Sequence, residues 1–161
     1  MASLAEMTDA YLAGVRTIRD AVAGMTPEQL RARPVPGKWS TQEVVCHLAD
    51  FEPVLADRMK RILAEDRPTL LAADEKRYAA ALAYDARDVN EELAVIEQTR
   101  RQMARILRTL PAEALARVGV HNERGPLTLE RMLTLATNHI PHHVQFIAEK
   151  RQALGLSAQG A

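Results

Sequence analysis

The sequence predicts an all-α four-helix bundle with short extra helices in its connections, on three observations. Apolar residues recur at helical spacing over four long stretches. Each stretch opens on a recognisable N-cap, and no alternating valine- or isoleucine-rich run marks a strand. An amphipathic helix cannot bury its own apolar stripe, so four of them pack against one another. The 161 residues, 1–161, suit a single domain large enough to bury a core.

The elements follow in order. Ser3 and Glu6 have capping-box spacing, and Leu4, Met7, Tyr11, Val15, Ile18 and Val22 continue at helical steps. Thr26-Pro27-Glu28-Gln29 repeats the signal for a short helix through Leu30: an N-cap, a proline in the first turn and a glutamine at N3. The stretch RPVPGKW cannot continue a helix. Ser40 and Glu43 then open a second long helix from Thr41 to about Ala64. Residues 65–87 form a long connection, in which DEKRYAAALAY suits a short helix. Asp88 and Glu91 cap a third long helix reaching Leu110, and PAEAL suits one further helical turn. GVHNERGP reads as loop, and Thr128 caps a fourth long helix to about Leu154.

The two halves share this plan. Setting Gly37-Lys38-Trp39-Ser40 on Gly125-Pro126-Leu127-Thr128 also sets Pro53 on Pro141 and His47 on Leu135, one turn before His139. That pattern fits an old duplication, and it equally fits any four-helix chain read in two halves.

Charge and composition narrow the function. The 21 basic and 21 acidic residues cancel, which disfavours binding to nucleic acid through its phosphates. Cys46 is the only cysteine, so no intrachain disulfide forms. MASLAEMTDAYLAG lacks the basic start and apolar core of a secretory signal, and no apolar run approaches the ~18 residues of a membrane span. A cytoplasmic protein without membrane partners is expected.

The candidate chemistry lies in the histidines. His139 and His143 stand four apart, one turn along the same helical face, a spacing that suits two ligands of one ion. The same spacing also describes two core-edge histidines. His142 is rotated about 100° away and points elsewhere. His47, among Val44, Val45, Leu48 and Phe51, is on its own a core-edge residue, but it sits at a depth similar to the late pair. Three histidines leave coordination positions open, as catalytic metal sites do. Asp50, three residues on, is placed either to accept the proton of the unligated His47 nitrogen, to serve as a base, or simply to face solvent. Glu43 belongs to its cap and Cys46 to packing, while Trp39 staples the loop to the helix start. Arg100, Arg101, Arg105 and Arg108 read as a solvated basic face. His121 and Tyr84 lie in connections within reach of a pocket mouth, which the Pro36-Gly37 and Asn122–Pro126 loops are expected to form.

GKWSTQEVVCHLADFE, followed much later by NHIPHHVQFIAEKR, resembles the DinB-like superfamily, including its YfiT-type metal-dependent hydrolases. The resemblance spans nearly the whole chain in helix order, and those two segments are its specific part. It implies a four-helix bundle, often dimeric, with a divalent metal, nickel or zinc, on His47, His139 and His143. It implies a small-molecule substrate and either hydrolysis or transfer of a low-molecular-weight thiol such as mycothiol or bacillithiol. The alternative is a non-enzymatic dimeric bundle with a structural or vestigial metal. Pro141 departs from the pattern. It removes the amide donor to the Thr137 carbonyl, so the expected kink either swings His143 away from His139 or sets the ligand angle.

Overall fold

The computed structural model describes residues 2–156. Its four long helices are α1 (Leu4–Val22), α3 (Thr41–Ala64), α5 (Val89–Leu107) and α6 (Leu129–Ala153). The short helices α2 (Pro27–Arg31) and α4 (Glu75–Ala81), with a 3-10 turn at Ala112–Ala116, lie in the connections. The expected caps all form. Ser3, Thr26 and Ser40 each close a reciprocal capping box, and Asp88 and Thr128 accept amide protons from the first turns of their helices.

Helix α1 packs on α5 and α6, and so does α3. One half of the core joins the start of α1 and α6 to the end of α3 and α5; the other half joins the opposite ends. Thus α1 and α6 run one way and α3 and α5 the other. Neighbouring α3 and α5 are parallel, so the chain must return the length of the bundle between them. That requirement accounts for the long 65–88 connection.

The loop reading of GVHNERGP is overturned. Val118–His121 (β2) and Gly125–Thr128 (β3) form an antiparallel hairpin, and Thr69–Leu70 (β1) pairs with β2 in parallel. Strands of two to four residues are too short to carry a readable alternation. Gly125, at φ +72°, supplies the left-handed residue that closes the three-residue turn. Gly119 lets the sheet press onto the bundle, because a Cβ there would lie 2.9 Å from side-chain atoms of Ile62 and Leu70. Arg117 donates to the carbonyls of Ile62 and Glu65, which fastens the hairpin to the end of α3.

The solvated-face reading holds for Arg101, Arg105 and Arg108, and Arg100 corrects it. Arg100 is wholly buried, with Nε 3.0 Å from Oε2 of the equally buried Glu52. Tyr11 donates to the other Glu52 oxygen, and Arg100 donates to the carbonyls of Tyr11 and Ala136. One cluster therefore ties α1, α3, α5 and α6 together. It admits no side chain at Gly14, whose Cβ would overlap the Arg100 guanidinium.

Glu52→Ala should cost about 3–5 kcal/mol, because it strands a buried guanidinium. The double variant Glu52→Leu/Arg100→Met should recover most of that loss. Urea unfolding checks both, and equal stability of the single variant and wild type would remove the pair from its central role.

Candidate metal centre

The three expected histidines meet. His47 projects from the first half of α3, and His139 and His143 project from adjacent turns of α6. His47 Nε2 lies 3.1 Å from His139 Nε2 and 3.2 Å from His143 Nε2, and one ring nitrogen of each lies within 4.8 Å of the others. Imidazoles bound to one ion at about 2.0–2.1 Å place their nitrogens about 2.9–3.4 Å apart. The two measured separations fall in that interval, so the donor set fits a divalent ion. Pro141 has not swung His143 away; α6 runs through it, and His143 stays on the His47 side. His142 is exposed and stacks edge-on against Phe146.

Burial sets the protonation state. It lowers His47 to about 4 and His139 and His143 to about 3, with the crowding of the rings as a further cause for the late pair. Neutral imidazoles with free lone pairs are the form that binds metals. The rings are oriented by stacking: His47 lies between Trp39, at 5.4 Å, and Phe51, at 4.6 Å. The Nδ1 atoms of His47 and His139 are buried without a hydrogen-bond partner among the described residues.

Asp50 does not fill that gap. Both its oxygens receive the Arg87 guanidinium at 2.9 Å, and Arg87 also binds Glu92. Neither the His47-orienting reading nor the solvent-facing one survives this arrangement; Asp50 is half-buried in an ion-pair network and acts on His47 only through space. Cys46 is packing, as expected. Its thiol is buried against the Tyr84 carbonyl and pushed up to about 12, so it is no nucleophile at neutral pH.

His47 and His139 form one wall of a cavity of about 470 Å³ between α3 and α6. Phe51, Leu55, Met132 and Leu135 continue the wall at helical spacing, and the hairpin and residues 72–75 roof it. His121 lines the cavity as anticipated. Tyr84 does not; it is buried beside Trp39 and Arg87. The Pro36-Gly37 loop is likewise absent from the lining. Glu123 and Arg124 line the cavity from the Asn122–Pro126 loop expected at the mouth, whereas the sequence reading missed Arg58 and Glu75 as lining residues. Arg58 did carry a signal, being in step with His47, Phe51 and Leu55 on one helical face.

A sequence profile of the DinB superfamily matches residues 10–147, and the chain belongs to that superfamily. It is 30% identical over 141 residues to the "Putative metal-dependent hydrolase YfiT" of Bacillus subtilis, covering 87% of this chain and 79% of that protein. An Oceanobacillus iheyensis protein with the same description is 26% identical over 132 residues, covering 82% and 76%. Among solved structures, that of Bacillus subtilis YfiT, described as "a probable metal-dependent hydrolase with an unusual four-helix bundle topology", matches with a TM-score of 0.87. It shares 28% identity and covers 94% of this chain and 87% of its own. A DinB-family structure from Exiguobacterium sibiricum, 23% identical with a TM-score of 0.63, shares the fold.

Metal content, measured by mass spectrometry on untagged protein, should fall sharply in His47→Ala, His139→Ala and His143→Ala and stay unchanged in His142→Ala and His121→Ala. The loss should exceed the ~10–100-fold typical of changes to a ligand's supporting partners. Circular dichroism should show the bundle intact.

The depressed histidine values also predict a pH effect in the metal-free protein. The unfolded chain protonates these rings near 6.5, and the folded chain only near 4 and 3. Their contribution to stability is complete above about 6.5 and is lost as pH falls through the folded values. The urea midpoint of metal-free wild type should therefore drop more steeply from pH 6.5 to 4 than that of His139→Ala/His143→Ala. Parallel slopes would contradict the buried neutral assignment.

Proposed function

We propose that this member of the DinB superfamily is a metal-dependent enzyme acting on a small molecule. Nickel or zinc is held by His47, His139 and His143. The reaction is hydrolysis, or transfer of a low-molecular-weight thiol. The observation that carries this reading is the convergence of three neutral imidazoles, two of which line a cavity large enough for a small substrate. Three protein ligands leave room for substrate or nucleophile, the arrangement of catalytic rather than closed structural sites. A divalent ion bound there acts as a Lewis acid and furnishes a hydroxide or thiolate nucleophile at neutral pH.

The chain's own residues do the rest. Phe51, Leu55, Met132 and Leu135 keep the cavity apolar next to the histidines and limit competing water. His121 accepts the Glu123 amide proton at Nδ1, which leaves Nε2 as its proton-bearing nitrogen and a donor to substrate. Asp50 and Glu52 are occupied by arginines, and the carboxylates that line the cavity are Glu75 and Glu123.

The alternative, a non-enzymatic bundle with a structural metal, draws less support. The core closes around the Arg100–Glu52 pair and two apolar clusters, and neither needs an ion.

The test is turnover of a panel of esters, amides and electrophile–thiol pairs by protein loaded with nickel or zinc. Turnover should vanish on chelation, return on adding metal back, and be absent in His143→Ala. Fully loaded wild type that turns over nothing in either class would favour the non-enzymatic alternative.

A further inference from the structure

The cavity has a second polar feature far from the histidines. Arg58 stands eleven residues after His47 on α3, about 16 Å along the helix axis. Its Nη2 donates to the Leu71 carbonyl, and its Nε is buried with no hydrogen-bond partner among the described residues. Arg124, at the tip of the hairpin, lines the same cavity. Among the described residues neither guanidinium has a carboxylate within ion-pair distance, whereas half-buried Arg87 and buried Arg100 are each paired with one. The two instead repel one another: burial first, and then Arg124, lower Arg58. Two facing cations, one with a buried unused donor, cost free energy in the empty site and are relieved by an anion placed between them.

His121 belongs to the same end. Its Nδ1 is occupied by the Glu123 amide, so its proton-bearing Nε2 adds a neutral donor. Burial and both arginines hold this ring below its ordinary value, which keeps it uncharged at neutral pH. Glu75 and Glu123 lie on the exposed rim and offset part of the positive field. That balance suits a single negative charge better than a dianion. Between the arginines and the histidines the walls are Phe51, Leu55, Met132 and Leu135, which offer no hydrogen bonds from their side chains.

We propose that the substrate is a small carboxylic acid. Arg58 and Arg124 hold its carboxylate, its apolar middle lies along Leu55 and Leu135, and its reacting group reaches His47 and His139. The inference deepens the active-site reading of this cavity and rests on it for the reacting end. The carboxylate end stands on the arginines alone.

Binding of 4-phenylbutyrate and of its neutral analogue 4-phenylbutanamide, followed by NMR titration of the full chain, tests it. In metal-loaded and metal-free wild type the carboxylate should bind about tenfold tighter than the amide or better. Arg58→Gln and Arg124→Gln should each erase most of that preference. Arg124 is exposed, so its variant tests the site without threatening the fold. His143→Ala should lose metal and keep the preference. If the metal reading fails, the carboxylate preference still appears. Equal binding of acid and amide, or a preference untouched by both arginine variants, overturns the proposal. So does a preference that disappears with His143→Ala, because the carboxylate would then be sitting on the metal.

Discussion

The buried pair of Arg100 and Glu52 is the constraint around which the bundle is arranged. A guanidinium with no exposed surface must satisfy its donors inside the protein, and this one uses a carboxylate on α3 and carbonyls on α1 and α6. Its position is therefore set by all three partner helices at once. Tyr11 closes the arrangement by donating to Glu52 while its ring lies 4.4 Å from the guanidinium carbon. Apolar side chains can slide along one another at little cost. A buried charge with several directional bonds cannot, so this cluster fixes the relative height of four helices that leucines alone would leave adjustable.

That fixed height is what brings the histidines together. Glu52 is five residues after His47, and the Ala136 carbonyl is three residues before His139. The pair therefore clamps α3 and α6 within about a turn and a half of the histidines on both sides. Pro141 makes the clamp more useful. Proline withholds an amide from the preceding turn and weakens the helix there. Arg100 supplies a charged donor to that same region, at the carbonyl just before the one Pro141 leaves free. The turn carrying His139 is held from outside the helix, and His143 reaches His47 despite the proline.

Much of this was legible in the chain, and the failures share a cause. Caps are local, decided by residues three apart, and the readings at Ser3, Thr26, Ser40, Asp88 and Thr128 hold. The third long helix stops at Leu107 rather than Leu110, the usual uncertainty of a helix end. The histidine set was legible because two of its members share a helical face. Arg100 was misread from the run of arginines around it. Its register tells otherwise, since Leu93, Ile96, Arg100, Met103 and Leu107 form one stripe, and Glu52 stands on the matching stripe of α3 with Leu48, Leu55 and Met59. An opposite pair of charges on two apolar stripes is a readable sign of a buried ion pair. Asp50 was misplaced because its partner, Arg87, lies 37 residues away in a connection with no regular pattern.

The small sheet shows how a weak local signal can have a large functional reach. Its strands are short and its pairing with residues 69–70 joins segments some fifty apart, so nothing local announces it. Yet it converts two long connections into one roof. Val120 and Asn122 donate to the carbonyls of Pro68 and Leu70, and the Asn122 side chain accepts from Ala72. Without that seam, residues 72–75 and the hairpin tip would be independent loops over an open groove between α3 and α6. With it, the groove becomes a cavity whose floor comes from the bundle and whose polar end comes from the connections. The bundle thus supplies the rigid part, three imidazoles at fixed spacing. The connections supply His121, Glu123 and Arg124 to the lining; under the proposed function they are the part that would distinguish one small molecule from another, where substitutions can accumulate without disturbing the ion pair that holds the helices in place.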